Sequence, residues 1–299
     1  MEHYSVLKQE AILNLNIKPD GIYVDGTLGG AGHAQEILKL LNKGFLYAFD
    51  QDDYAIEYAK KRLGESQKYE IIKSNFMFLK QELQNRGVDK IDGLLLDLGL
   101  SSFQIDDVER GFTYLKDTSL DMRMDQSQEL TAKEILNTYT KEQLAKMFFL
   151  YGEEKNSFKI ADEIIKNRPL ETTMDLVKIT DRVNYKDKGH SAKRVFQALR
   201  IEVNKELEAL EKILEDVVDM LNPDGRIVII TFHSLEDRIV KHFFKSQSMQ
   251  EQPKGLPVMI KDESKLEVLT KKPQYPSQEE LALNSRSKSA KLRVARRKS

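Results

Sequence analysis

Residues 21–33, GIYVDGTLGGAGH, indicate the fold most directly. Its first five residues, Gly21–Asp25, form a short apolar run typical of a buried parallel strand, and Ala34–Leu41 follows with apolar residues at helical spacing. Glycines at such a strand-to-helix turn let the backbone approach a ligand closely and aim helix N–H groups at it. The spacing is not G-x-G-x-x-G, so the dinucleotide fingerprint is not met, and the loop alone leaves a ligand site and a simple tight turn equally open.

The strand–helix pattern continues beyond this loop. Further short apolar runs predict strands at Phe45–Asp50, Tyr69–Lys73, Ile91–Asp97 and Arg226–Phe232. Amphipathic segments between the earlier strands predict helices at Asp53–Leu63 and Phe78–Arg86. A βαβα series of this kind implies an α/β fold with a mostly parallel sheet and right-handed crossovers.

The last strand comes more than a hundred residues after the fourth, and the sequence between them has helical character. Helices are predicted at Thr131–Leu136, Lys141–Tyr151, Phe158–Lys166 and Met174–Val183. Because these helices are short and closely spaced, we predict an inserted all-helical domain over 106–201, within an α/β domain formed by 1–105 and 202–299. One long surface helix is predicted at Asn204–Leu221, followed by a turn at Asn222–Gly225.

Composition and charge limit the class of protein. The chain has 299 residues, 40% of them hydrophobic, which is enough for a sizeable core, and no run approaches the roughly 18–20 apolar residues of a membrane helix. There is no cysteine and the histidines show no metal-ligand spacing, so neither disulfides nor a metal site are expected. The first residues lack the pattern of a secretory signal, so a cytoplasmic location is expected. With 47 Lys and Arg against 48 Asp and Glu, any binding of nucleic acid must come from local patches.

Two acidic residues at strand ends extend the case for a ligand site. Asp50 ends the second strand, 18 residues beyond Gly32, where an acid can accept both hydroxyls of a ribose. Asp97 ends the fourth strand, at the edge where open α/β sheets bind ligands. No Lys or Arg lies between Lys18 and Lys39, which argues against a pyrophosphate. Together these features favour an adenosine-containing cofactor.

Two further segments each have two interpretations. His233, at the end of the fifth strand, is either a satisfied core histidine or a functional one, and Ser234 with Asp237 resembles an N-cap pair. The segment Asn284–Ser299 contains seven Lys and Arg and no acid. It is either a solvated, partly disordered tail or an arm that contacts phosphates.

Seven motifs along the chain carry a resemblance to a known family: DGTLG from Asp25, LDLGLSS from Leu96, ERGF from Glu109, LDMRMD from Leu120, YGEE from Tyr151, FQALRI from Phe196 and FHSLEDRIVK from Phe232. The chain resembles the MraW/RsmH group of bacterial methyltransferases, which act on N4 of cytosine in small-subunit (16S) ribosomal RNA, over essentially its whole length. The resemblance implies a Rossmann-like, S-adenosyl-L-methionine-dependent domain with an inserted helical domain for substrate recognition. It also implies 16S rRNA or the small ribosomal subunit as partner and no metal, and it leaves a homodimer open.

The resemblance also assigns functions to individual residues. The implied cofactor contacts are Ala31, Gly32, His33, Asp50, Phe76, Asp97 and Gln104. Asp50 would hold the ribose, Phe76 would flank the adenine, and the loop backbone would meet the methionine half. Asp97 with Ser101 or Ser102 is predicted to orient the amine of the target base, because they occupy the place where many amino-methyltransferases have a D/N/S-P-P-Y/F motif, although the sequence from Asp97 lacks its prolines and its aromatic residue. His233 is a candidate for accepting the released proton.

Contacts to RNA are the least specific part of the prediction. The candidates are Lys193, Arg194, Arg200, Arg238, Arg286 and Arg293, and each is equally compatible with a solvated surface. Two other functions remain open at this point. One is a noncatalytic RNA-binding assembly factor with a methyltransferase fold. The other is an NAD-dependent oxidoreductase, which the missing fingerprint weakens.

Overall fold

The computed structural model describes residues 5–186, 188–248 and 264–299. The chain divides into two compact units: an α/β unit of Met1–Gly99 and Ala209–Ser299, and a helical unit of Leu100–Glu208. The helical unit is longer at both ends than the insert predicted over 106–201. It starts earlier because a short helix directly follows residue 101, and it ends later because its last long helix runs to residue 204.

The elements follow one another in this order. The chain begins with α1 (Lys8–Leu15), β1 (Ile22–Asp25), α2 (Gly32–Leu40), β2 (Phe45–Asp50), α3 (Asp53–Leu63), β3 (Tyr69–Lys73), α4 (Leu79–Gln84) and β4 (Ile91–Asp97). The helical unit contains α5 (Ser102–Asp106), α6 (Ala132–Thr138), α7 (Lys141–Gly152), α8 (Ser157–Lys166), α9 (Thr173–Val183) and α10 (Lys193–Asn204). The chain continues with α11 (Glu206–Met220), β5 (Leu221–Thr231), α12 (Ser234–Ser248), β6 (Leu266–Val268), α13 (Gln278–Leu283) and β7 (Lys291–Arg297).

The sheet of the α/β unit has seven strands in the order β3-β2-β1-β4-β5-β7-β6. The first five run parallel to their neighbours, while β7 is antiparallel to β5 and β6 is antiparallel to β7. The prediction of a mostly parallel, Rossmann-like sheet is therefore confirmed. The register puts the carboxyl ends of β1, β2 and β4 at one edge of the sheet, where Asp25 lies opposite Ala48 and Leu95.

The central strands are buried on both faces, which explains their continuous apolar sequences. Alternate residues of β4 join different hydrophobic clusters: Leu94 and Leu96 belong to one, and Leu95 to the other. The same alternation holds in β5, where Ile229 belongs to the first cluster and Val228 to the second. Helices thus cover the sheet on both sides.

The helical unit has a core of its own. Its cluster draws on every long helix of the unit, including Phe148 of α7, Ile160 of α8 and Leu176 of α9. The predicted capping box at the start of α7 is confirmed: the Thr140 hydroxyl accepts from the backbone N–H of Gln143, and the Gln143 side chain accepts from the backbone N–H of Thr140. In the described parts of the chain, no helix combines the length and the apolar character that crossing a membrane requires.

The interpretation of the basic segment Asn284–Ser299 as a solvated, partly disordered tail is wrong for residues 291–297. Its residues Lys291–Arg297 form β7, which pairs with β5 from Lys291 to Arg296. Leu292 and Val294 are fully buried in the core of the α/β unit. The alternation of apolar and basic residues is that of a half-buried strand, which the high charge concealed.

The structure also differs from two smaller predictions, which concern residues 204–225. The long helix predicted from Asn204 begins at Glu206, because Lys205 adopts a left-handed backbone conformation (φ 50°) that ends α10. The segment predicted as a turn, Asn222–Gly225, is a bulge in β5, since pairing with β4 passes from Ile91–Leu221 directly to Gly93–Arg226.

Candidate functional site

Three carboxylates end three adjacent strands of the α/β unit. Asp25 ends β1, Asp50 ends β2 and Asp97 ends β4, at the edge where open α/β sheets bind ligands. Two of them, Asp50 and Asp97, were predicted as site residues. The structure brings them together because β1 lies between β2 and β4 in the sheet.

The glycine-rich loop after β1 lies against these strand ends. The backbone N–H of Gly26 donates to the carbonyl of Leu95 (2.9 Å), and that of Gly29 donates to Oδ2 of Asp50 (2.8 Å). Ala31 has a left-handed conformation (φ 58°) and leads directly into α2. The loop therefore presents its backbone beside the carboxylates, as a binding loop requires.

Packing around the start of α2 explains the glycine at position 32. A Cβ atom built on Gly32 would lie 1.9 Å from Oγ of Ser5, so no larger residue fits without moving the N-terminal segment. Residues Ser5 to Leu7 are held there by two contacts. Nε2 of His33 lies 3.1 Å from the carbonyl oxygen of Val6, and the backbone N–H of Leu7 donates to Glu280 (2.9 Å).

Asp97 is the most unusual acid of the site. Its Oδ1 is buried and has no hydrogen-bond partner among the described residues, while its backbone N–H donates to the hydroxyl of Thr27 (2.6 Å). Burial raises its pKa well above the ordinary range, and the nearby acids Asp25, Glu236 and Glu280 raise it further. A buried polar atom without a partner at a strand end is a strong indication of a ligand contact.

Asp25 shares this character. Its Oδ1 accepts a hydrogen bond from the backbone N–H of Thr27 (3.1 Å), but its Oδ2 is buried and unpartnered within the described residues. Burial raises the pKa of Asp25 to about 7, against the lowering effect of the Thr27 bond. From the sequence, Asp25 was predicted to end the first strand, and it was not among the predicted site residues.

Asp50 is better supplied with hydrogen bonds. Its two oxygens accept from the backbone N–H groups of Gly29 (2.8 Å) and Asp52 (2.9 Å). Burial nonetheless raises its pKa to about 6, because these bonds offset only part of the cost of burying the charge. Phe76 lies close by: the Asn75 side chain before it donates to Gln51, the neighbour of Asp50 (3.0 Å).

His33, in the first turn of α2, and Phe76 both lie beside the glycine-rich loop. Because a carbonyl oxygen can only accept, the contact with Val6 places the hydrogen of a neutral His33 ring on Nε2 and leaves Nδ1 as an acceptor. Nδ1 lies 3.8 Å from Oδ2 of Asp97. A Cβ atom on Gly26 would lie 3.3 Å from Cβ of Phe76, which places Phe76 beside the loop. Phe76 is partly buried there.

The remaining predicted residues of this group lie in the helical unit. Ser101 and Gln104 form a capping box at the start of α5: Oγ of Ser101 accepts from the N–H of Gln104 (3.3 Å), and Oε1 of Gln104 accepts from the N–H of Ser101 (3.1 Å). Ser102 is the first residue of α5. Both capping side chains thus have a structural function in addition to the predicted ones.

The end of β5 differs from its prediction. Ser234 and Asp237 were predicted as an N-cap pair, but the backbone N–H groups of Phe232 and His233 donate to the buried carboxylate of Glu236 (2.7 and 3.3 Å). The His233 ring nitrogen Nε2 lies 3.0 Å from the other oxygen of Glu236. Sequence reasoning missed Glu236, although its position three residues after His233, in the first turn of α12, was a usable signal.

Two of the predicted RNA contacts are engaged in ion pairs with acids of the protein. Arg293 is buried in an ion pair with Asp237 (Nε to Oδ1, 2.6 Å), and Arg200 pairs with Glu206 (Nε to Oε1, 2.7 Å). The prediction is corrected for Arg293, because its guanidinium already has a carboxylate partner in the core. The other four candidates are exposed: Lys193, Arg194, Arg238 and Arg286.

Residues 1–298 match the MraW methylase family. The chain belongs to this family. Its relatives include "Ribosomal RNA small subunit methyltransferase H 1" of Acholeplasma laidlawii, which is 56% identical over 299 residues and 100% of both chains. The relative from Onion yellows phytoplasma, "Ribosomal RNA small subunit methyltransferase H", is 58% identical over 98% of this chain and 96% of its own. A relative of the same name from Finegoldia magna is 49% identical over 98% of both chains.

Membership in the MraW methylase family confirms the resemblance drawn from the seven motifs. The match also covers both units of the fold. Asp25 and Asp97 each have, beside the glycine-rich loop, a buried oxygen that finds no hydrogen-bond partner in the described residues, as expected where a ligand binds.

Proposed function

We propose that this MraW-family protein transfers the methyl group of S-adenosyl-L-methionine to the exocyclic N4 amine of a cytidine in small-subunit ribosomal RNA. The observation that carries the proposal is the buried Oδ1 of Asp97 at the end of β4, which has no hydrogen-bond partner within the described part of the chain. The names of the relatives support the RNA substrate. The choice of cytidine N4 rests on the motif resemblance.

The residues of the loop and strand ends fit the proposed cofactor. Asp50 would accept the ribose hydroxyls, Phe76 would flank the adenine, and the backbone of Ala31 to His33 would meet the methionine half. When bound, S-adenosyl-L-methionine supplies an electrophilic methyl group on a sulfonium. Buried carboxylates and an aromatic face suit that positive charge. Gln104 is proposed as a further contact on the strength of the resemblance.

The chain's own contribution is to orient the amine and to hold its proton. The N4 lone pair of cytosine is delocalised into the ring, so acceptors that bind its N–H groups help to redirect the lone pair. Oδ1 of Asp97 is proposed as one acceptor, with Ser101 or Ser102 as the other. Positioning alone contributes on the order of 7–11 kcal/mol to such reactions.

The raised pKa of Asp97 gives it a second use. A carboxylate surrounded by Asp25, Glu236 and Glu280 binds a proton more readily than an ordinary Asp. In its ionised form Asp97 can therefore take up the proton that leaves the amine, as a general base must. His233 remains a candidate for the next proton transfer: its Nε2 is buried and makes no well-aligned hydrogen bond within the described residues, although it lies 3.0 Å from Oε1 of Glu236.

The deciding experiment is transfer of a radiolabelled methyl group to small-subunit particles from cells that lack the protein. We expect N4-methylcytidine after digestion, and loss of at least about a hundredfold in rate for Asp97→Asn, because general bases typically contribute 10²–10⁴-fold. A methylated nucleoside other than N4-methylcytidine would overturn the assignment of the target atom. RNA binding without any transfer would instead favour the noncatalytic assembly factor.

A further inference from the structure

We infer that an exposed basic and aromatic surface of the helical unit binds unpaired nucleotides of the RNA substrate. This surface, named the 185–194 surface, consists of Tyr185, Lys186, Lys188, Lys193 and Arg194. The inference rests on the proposed function and deepens it, because it gives the RNA a contact besides the target cytidine.

Charge is the first argument. The sequence of residues 184–194, NYKDKGHSAKR, contains four cations and one acid, and that acid, Asp187, lies outside the described residues. All four cations are exposed. Of the acids on adjoining elements, Asp181 accepts a hydrogen bond from the Ser191 hydroxyl, and Glu153 is exposed. A local excess of exposed cations in a chain of net charge -1 attracts phosphates to this place.

The aromatic side chain is the second argument. Tyr185 is 73% exposed, and Nζ of Lys186 lies 5.3 Å from its ring centroid. Further along the same segment, the His190 ring packs on Tyr114 with centroids 4.3 Å apart. An aromatic face beside cations is the combination with which proteins bind single-stranded nucleic acid, since bases stack on the ring while the cations meet the backbone.

A buried network holds this surface in place. Glu154 is completely buried, and its two oxygens accept from the backbone N–H of Asn156 (2.8 Å) and from Nδ2 of Asn184 (3.1 Å). Nδ2 of Asn184 also donates to the carbonyl of Ser191 (3.1 Å), and Nη1 of Arg194 lies 3.9 Å from Glu154. One carboxylate therefore connects both ends of the segment. A preordered surface loses less entropy on binding.

The test is the affinity of the full-length protein for an unstructured single-stranded RNA of about ten nucleotides, within the span of known single-strand sites, over a range of salt. The variants are Tyr185→Ala and the double variant Lys186→Glu/Lys188→Glu. Tyr275→Ala, at a 60% exposed tyrosine of the α/β unit, is the control for the first. For the second, the control is Lys43→Glu/Lys61→Glu, which makes the same change of charge at exposed positions of the α/β unit.

We expect Tyr185→Ala to weaken binding about tenfold, the loss of one stacked base. The lysine variant should bind more weakly and reduce the salt slope by about 0.7 for each lost phosphate contact. Both control proteins should bind within about twofold of the parent. If the lysine variant does not fold by circular dichroism, Lys186→Gln and Lys188→Gln test the same point singly.

Variants that bind as their controls do would overturn the inference. So would an affinity for the matching duplex equal to that for the single strand, with no dependence on Tyr185. Methyl transfer to particles is assayed in parallel, which separates the two proposals. Transfer by the parent together with unchanged binding by the variants rejects only the 185–194 surface. Absence of transfer together with weakened binding by the variants supports this surface and rejects the proposed function.

Discussion

Asp25 is kept in the core at a cost that its neighbours do not offset. Its carboxyl is 1% exposed, one oxygen has no partner within the described residues, and its pKa is raised to about 7. Evolution commonly retains such a residue for function rather than for stability. The sign of the effect follows from proton binding. Between pH about 4 and 7 the folded chain holds a proton on Asp25 that the unfolded chain has lost, so the free energy of unfolding falls as pH rises.

Asp25→Asn should therefore stabilise the protein at pH 8. The amide keeps the acceptor for the Thr27 N–H and removes the buried charge. The rise in pKa from 3.8 to about 7 sets an upper limit of about 4 kcal/mol on the gain. Urea unfolding between pH 4 and 8 measures it, with the exposed Asp53→Asn as control. A variant less stable than the parent at pH 8 would show that the charge is satisfied in the folded chain.

Asp50→Ala should weaken binding of S-adenosyl-L-methionine by roughly 1.5–3 kcal/mol, the value of hydrogen bonds to a charged group. Binding by the parent should also weaken as pH falls below about 6, because protonated Asp50 loses acceptor capacity. Titration calorimetry measures both effects. The matched control is Asp53→Ala, three residues along the chain, whose carboxylate pairs with Lys73 at the surface. An unchanged dissociation constant for Asp50→Ala removes it from the cofactor site.

The sequence predicts the position of the acids at the site but not their pKa values. Asp50 and Asp97 could be predicted because a strand end is visible as the last residue of an apolar run, and parallel strands end at the same edge. The environment that raises their pKa values could not. The pKa of Asp97 depends on Glu236 and Glu280, which lie far along the chain and reach it only through the fold. The local sequence therefore predicts which acid ends a strand, whereas the burial of that acid and its charged neighbours depend on the tertiary structure.

At the scale of elements, the high charge of β7 explains why its sequence was not predicted to be a strand. It contains four basic residues in seven, yet it lies between β5 and β6 in the sheet. Its apolar residues fill the core, and its basic residues find acids brought by other elements: Asp237 for Arg293, and Glu267 for Arg296. None of these partners is near in sequence, so the strand could not be told from a solvated tail.

Truncation after Leu283 should therefore prevent the α/β unit from folding cooperatively. The deletion removes β7 and leaves the edges of β5 and β6 without their partner. Thermal unfolding followed by circular dichroism tests this, with removal of only Lys298 and Ser299 as the control. A truncated protein with a normal transition and normal cofactor affinity would contradict the structural assignment of this segment.

Arg293→Met should cost about 1.5–3 kcal/mol in stability, because the largely buried Asp237 loses its bidentate partner and keeps the ion pair with Lys291 (Nζ to Oδ2, 3.2 Å). Arg286→Met makes the same chemical change at an exposed position, so we expect less than about 0.5 kcal/mol there. Guanidinium unfolding gives both values. Equal effects of the two substitutions would mean that the Asp237 pair contributes little.

At the scale of the whole molecule, the division into two units was visible in the sequence. The long interval before the last strand indicated an insert, and the helical spacing indicated its class. Its limits were less visible, because α5 and the end of α10 carry no breaker such as proline to mark them. The cores are separate: one cluster consists of residues from the helical unit, and the other two consist of residues from the α/β unit.

Separate cores predict that the α/β unit folds and binds cofactor without the insert. Replacing residues 100–208 with a short Gly/Ser linker keeps the loop, Asp50, Phe76 and Asp97. It removes Gln104, worth about 1 kcal/mol as one neutral hydrogen bond, so affinity for S-adenosyl-L-methionine should fall roughly fivefold. Transfer to RNA should be abolished, because the insert is the proposed recognition domain.

The matched control for this deletion is Gln104→Ala in the full chain, which separates the lost contact from the lost unit. Calorimetry compares cofactor affinity, and radiolabelled transfer to small-subunit particles compares activity. A deleted protein that binds cofactor like Gln104→Ala but transfers nothing supports recognition by the helical unit. If the deleted protein still methylates the particles, RNA recognition lies in the α/β unit. If it does not fold, the α/β unit depends on the helical unit for its stability although their cores are separate.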